Sequence, residues 1–182
     1  MDIVTDVGAH YLYEAQRTLG GYKRLADAAL AQLSDEELGR APDAESNSVA
    51  ILLQHIAGNQ RSRFTDFLSS DGEKPERQRD AEFEPSAATR AQLLEAWERG
   101  WRIVFDALAE LRPPDLLRTV SVRGQPLTVL QAIERQVTHC AYHAGQIVYL
   151  AKHWKGAAWH SLSIPKGKSL GPEALEAERR RP

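Results

Sequence analysis

The sequence predicts an all-α protein, a four-helix bundle with one small β-hairpin before its last long helix. Three observations predict it. Four long segments repeat apolar residues at steps of three and four, capping residues stand where those segments begin, and only one short stretch alternates.

The first stripe runs through Ala15, Leu19, Tyr22, Ala26, Ala29 and Leu33, an amphipathic helix. Gly20 and Gly21 lie inside it, each costing about 1 kcal/mol against Ala, and predict a bend there. Ser34 with Glu37 has capping-box spacing and predicts a short helical turn. Pro42 and the polar residues 43–47 read as a loop. A second helix is predicted from about Ser46–Ser48 to Ser69, with Val49, Leu52, Leu53, Ile56, Phe64 and Phe67 on its apolar line. Residues 71–85 are rich in Lys, Arg, Glu and Pro, have no period, and read as a long surface loop.

Ser86 is predicted to open a third helix carrying Leu94, Trp97, Trp101, Val104, Phe105, Leu108 and Leu111, which Pro113 and Pro114 end. Residues 119–128 alternate around Arg123-Gly124 and predict the hairpin. Thr128 then caps a fourth helix reaching about Trp154, with Val129, Ile133, Val137, Cys140, Ala144, Ile147 and Val148 on its core line. The period disappears after Lys155. The organisation predicted is one domain over residues 1–170, then a charged, frayed tail over 171–182 that includes Arg179–Arg181.

Composition narrows the function classes. At 182 residues, 42% hydrophobic and 26% charged, the chain is neither disordered nor membrane-like. Its net charge of −2 leaves no electrostatic footprint for nucleic acid. A single cysteine, Cys140, excludes an internal disulfide and every multi-cysteine zinc pattern. No basic region precedes an apolar run at the N-terminus, and no apolar run reaches the roughly 18 residues a membrane span needs. A soluble cytoplasmic protein is expected.

Six histidines are present. His139 and His143 are four residues apart, so their rings stack one helical turn apart and can reach one metal ion. His55 holds the matching place beside the apolar stripe of the second helix. Three imidazoles facing inward from two helices would leave coordination positions open. Two readings stay open on the residues alone, because a pair at this spacing also arises by chance and a single His beside an apolar face is commonly a hydrogen-bonded core residue. His10, His153 and His160 have no partner spacing. In His139-Cys-Ala-Tyr-His143 the glutamate of a zinc-protease motif is missing, and Gln136 stands where a di-iron Glu-x-x-His would need its acid.

The stretches Val49-Ala-Ile-Leu-Leu-Gln-His55-Ile-Ala-Gly-Asn59 and Thr138-His139-Cys-Ala-Tyr-His143-Ala-Gly-Gln-Ile147 resemble the DinB-like superfamily of proposed metalloenzymes. The HxxxHxGQ string, present as His139, His143, Gly145 and Gln146, is the most specific element. Residues 163–169 look like an uncharacterised branch, a domain of unknown function, and the likeness spans roughly residues 5–170. The resemblance implies an up-down-down-up bundle, one divalent cation (zinc or nickel) on His55, His139 and His143, and a homodimer. It also implies a thiol-dependent transferase using a low-molecular-weight thiol.

Other residues admit a functional and a plainer role. Asn59, Gln136 and Gln146 are candidates to orient the imidazoles from behind, or are ordinary helix residues. Gly145 predicts a close approach, by a neighbouring helix or a ligand. Cys140 points to the core line and reads as packing. Trp154 and Trp159 could line a pocket mouth. Gly167-Lys168-Ser169 lacks the first glycine and the strand of a phosphate loop. Two functions follow: a metal-dependent enzyme, or a non-catalytic bundle with structural metal or none that acts through dimerisation or a partner.

Overall fold

Asp6 begins the first helix by accepting from the backbone N–H groups of Gly8 (2.8 Å) and Ala9 (3.1 Å). The structure, a computed structural model, describes residues 6–172, 174 and 176. Helix α1 spans Val7–Leu30 and passes Gly20 and Gly21 without a break. The short α2, Asp35–Gly39, starts on the expected Ser34–Glu37 capping box. Helix α3 covers Val49–Phe64, α4 Arg90–Ala109 and α5 Val129–Lys155. A two-stranded antiparallel hairpin, β1 Thr119–Val122 and β2 Gln125–Thr128, precedes α5.

Pair contacts set the helix directions. Tyr11, near the start of α1, donates to Glu134 near the start of α5, while Gln32 after α1 meets His160 after α5, so these helices run parallel. Lys23 and Asp27 of α1 meet Glu98 and Trp97 of α4, and Arg90 at the start of α4 donates to Leu30 and Leu33, so that pair is antiparallel. Helix α3 runs beside α4 in the same direction, from Ile51 near Leu93 to Ala57 near Gly100. The order is up-down-down-up. The core holds Leu19, Leu52, Leu53, Ile56, Trp97, Trp101, Val104, Leu108, Ile133 and Ile147, all essentially buried. Burying a side chain of this size contributes about 1.5–3 kcal/mol, so the shared apolar faces hold the bundle together.

Two helix boundaries and one loop differ from what the sequence suggests. Helix α3 stops at Phe64 instead of near Ser69, because Thr65 is extended and Asp66 has φ 49°, a left-handed conformation no helix continues through. Helix α4 starts after Thr89, not Ser86, since Thr89 and Gln92 form the reciprocal capping box. Residues 71–85 are not structureless: Asp80–Phe83 forms a 3₁₀ turn against α3. The hairpin turn is as expected, with Arg123 at φ 55° and Gly124 at φ 70°, the two-residue turn that matches strand twist. Residues 177–182, and with them Arg179–Arg181 of the predicted tail, lie outside the described residues. No helix among the described residues is long and apolar enough to cross a membrane.

Gly100 lets α3 and α4 approach closely. A Cβ there would lie 2.5 Å from Gln60 Oε1 and 3.2 Å from Ala57 Cα, and Gln60 is fully buried with little room to yield. Gly100→Ala is expected to add about 1–3 kcal/mol of overpacking, of which better helix propensity returns about 1. Thermal unfolding followed by circular dichroism should show a midpoint lowered by a few degrees.

Candidate metal centre

One helical turn separates His139 and His143 on α5, and antiparallel α3 brings His55 opposite them. His139 Nε2 lies 3.1 Å from His55 Nε2 and 3.1 Å from His143 Nε2. One nitrogen from each ring falls within 4.8 Å of the others, close enough to hold a metal ion. Two nitrogens bound to one cation at about 2.0–2.1 Å, at angles from octahedral to tetrahedral, stand about 2.9–3.4 Å apart, so both spacings about His139 fit.

The far ring nitrogens explain why the near ones face one another. His55 Nδ1 sits 2.9 Å from Glu82 Oε2, and a carboxylate only accepts, so that nitrogen carries the proton. His143 Nδ1 sits 2.7 Å from the Gln146 amide oxygen, with the same result. On neutral rings both Nε2 atoms are then bare lone pairs aimed at His139 Nε2, which carries one proton at most. Buried lone pairs in mutual contact are unfavourable unless a cation lies among them. His139 Nδ1 is buried with no protein partner. Burial, then the neighbouring His143 and His55, push the His139 pKa down to about 3. Burial also lowers that of His143, with Gln146 opposing. Burial thus favours the uncharged, metal-binding form of His139 and His143.

Glu82 is the residue that sequence reasoning missed. Its carboxylate lies between His55 and Arg77, whose Nε and Nη2 each donate at 2.8 Å in a bidentate fork. Burial pushes the Glu82 carboxyl up, but Arg77 and then His55 more than offset this and hold it below the usual range. Carboxylate–histidine pairs of this kind fix the ring and raise its basicity. The 71–85 segment thus folds over His55, and Phe83 of the same turn stacks near the ring at 4.5 Å between centroids. The sequence did hold a signal: Gly58, mid-helix and three residues after His55, has the Glu82 carboxylate packed where a Cβ would stand.

The remaining candidates occupy varied places. Gln136 donates to the Cys140 thiol at 3.3 Å, one turn along its own helix, and makes no bond to a histidine ring. Asn59 makes no side-chain hydrogen bond among the described residues and lines the cavity beside the histidines. Cys140 is core packing, its thiol pushed up to about 12 by burial. Gly145 faces outward, and among the described residues nothing lies near its Cβ position, so no neighbouring helix makes the close approach expected there. Trp154 lies under Arg40 instead of at the cavity, and Trp159 packs on the core. His10, His153 and His160 are exposed and apart from the site.

Asp71 secures the wall of the cavity. It accepts from Ser121 Oγ (2.6 Å) and from the backbone N–H groups of Glu73 (2.7 Å), Arg123 (2.8 Å) and Gly124 (2.8 Å), tying the loop to the hairpin turn. The Ser121 bond and then the Gly124 N–H hold its carboxyl well below the ordinary range.

The family described as "protein of unknown function (DUF1572)" matches residues 6–168, and the chain belongs to that family. No curated protein matches the chain.

Because the folded pKa of Asp71 is depressed, its contribution to stability is fully present above about pH 3.9, the ordinary carboxylate value, and is lost as pH falls through the folded one. Asp71→Asn puts amide protons against backbone donors and is expected to lower the thermal midpoint by a few degrees at pH 7. That gap to wild type should narrow below about pH 4 in melts taken across the acid range.

Proposed function

We propose that this family member is a metal-dependent enzyme that binds one divalent cation, zinc or nickel, through His55, His139 and His143. One observation carries the reading: three Nε2 atoms converge while Glu82 and Gln146 hold the outer nitrogens of two of the rings. Three protein donors leave a position open, the hallmark of catalytic rather than structural sites. The likeness of the HxxxHxGQ string to the DinB-like superfamily supports the same reading and favours thiol transfer over hydrolysis. A cation at this place supplies Lewis acidity, which lowers the pKa of a thiol or water near neutral pH.

The chain's own groups do the positioning. Glu82, kept ionised by Arg77, holds His55 in the tautomer that presents a bare Nε2, and Gln146 does so for His143. Phe83 covers the His55 ring and limits water there. Asn59, without a protein partner, is available to a substrate entering the cavity.

Metal analysis of untagged protein tests the site. Wild type should carry about one zinc or nickel per chain, and His55→Ala and His143→Ala should carry almost none while keeping their helical circular dichroism. A wild-type chain that takes up neither metal overturns the reading. Glu82→Gln keeps the shape but removes the charge, and should weaken metal affinity about 10–100-fold in chelator competition. Metal-loaded protein should also turn over a low-molecular-weight thiol with an electrophile, and loss of that turnover in His139→Ala ties it to the site.

A further inference from the structure

A cavity of about 240 Å³ opens beside His55 and His139, and all of its charged lining other than histidine is cationic. Arg63, Arg77, Arg79, Arg123 and Arg135 line it, and among the described residues no aspartate or glutamate does. Three partly or fully buried carboxylates stand behind them, of which Asp71 is taken by Ser121 and the hairpin-turn N–H groups and by no arginine side chain. Glu73 Oε2 is shared by Arg63 (2.9 Å), Arg123 (3.1 Å) and Arg77 (3.5 Å), and Glu82 is taken by Arg77. Asp80, 3.5 Å from Arg79, is fully in solvent and neutralises little. Arg135 makes no side-chain hydrogen bond or ion pair among the described residues, and the Nη groups of Arg123 donate no hydrogen bond there either.

This excess of positive charge is local, since the chain as a whole carries −2. Like charges gathered around one concave surface repel, and they concentrate anions from solution. Planar guanidinium forks match carboxylate and phosphate oxygens. Phe64, Phe67, Val120 and Leu127 give the wall an apolar part, Ser121 and Gln136 add polar groups, and Asn59 (8% exposed) lines it with an amide oxygen that has no partner among the described residues.

We infer that this cavity binds a small organic anion, its carboxylate or phosphate held by Arg123 and Arg135 and its apolar body against Phe64, Phe67 and Leu127. The remainder of the molecule then faces His139 and His55. The inference rests on the enzyme reading above and names the substrate class of that site. Substrates lacking an oxyanion would find an apolar wall but nothing to answer the arginines.

Calorimetric titration with benzoate, phenyl phosphate and the uncharged benzyl alcohol tests it, on zinc-loaded and on chelator-treated protein at low salt. At least one of the two anions should bind at least tenfold more tightly than benzyl alcohol in both forms, and the preferred one identifies carboxylate or phosphate as the head. The double variant Arg123→Gln/Arg135→Gln should lose at least tenfold in anion affinity while its circular dichroism and metal content stay as in wild type. Equal binding of all three probes, or undiminished anion binding by the variant, overturns the inference. Anion binding through these arginines by a chain that takes up no zinc upholds the anion site and removes only the enzyme reading. Thiol turnover by a chain indifferent to both anions does the reverse.

Discussion

Three imidazole nitrogens pointing at one another in a buried place is an arrangement that neutral chemistry does not favour, and the surrounding structure is organised around it. Each ring has two nitrogens, so fixing the outer one decides what the inner one can do. Glu82 and Gln146 fix the outer nitrogens of His55 and His143 as donors. The inner ones are left as lone pairs at 3.1 Å from His139 Nε2. A cation relieves that contact directly, whereas a single proton on His139 can satisfy only one neighbour well.

The bundle supplies the rigidity this needs. Helices α3 and α5 carry the rings, and each is held by a different partner: α3 against α4 across Gly100, α5 against α1 along most of its length. The rings are therefore placed by two packed helix pairs and not by loops, which suits a site whose geometry must hold within fractions of an ångström. The loop contributes the charge. Arg77, its side chain almost wholly buried, holds the Glu82 carboxyl below its usual range in a place where burial pushes it up.

The same loop and the hairpin enclose the cavity, with Asp71 joining them at the turn. Two kinds of environment thus lie side by side, a set of neutral nitrogen donors and a ring of guanidinium groups. Low dielectric between them strengthens each interaction with whatever enters, and burial, with the neighbouring positive charge adding to it, disfavours a proton on His139.

Much of this was legible in the sequence because it is local. The helices follow from apolar periodicity, the Ser34–Glu37 box and the Thr128 cap from contacts three residues long, and the hairpin from Arg123-Gly124 in positive φ. The His139–His143 pair needs only the pitch of a helix. What the tertiary structure decided lies across long separations or in a loop with no period. Glu82 reaches His55 over 27 residues, and five arginines distributed from residue 63 to 135 meet at one cavity. The end of α3 at Phe64 was likewise set by the turn at Asp66, against an apolar pattern that continues to Phe67. Periodicity reports which face of an element is buried, but charge partners between elements are chosen by packing, and no short-range rule carries that information.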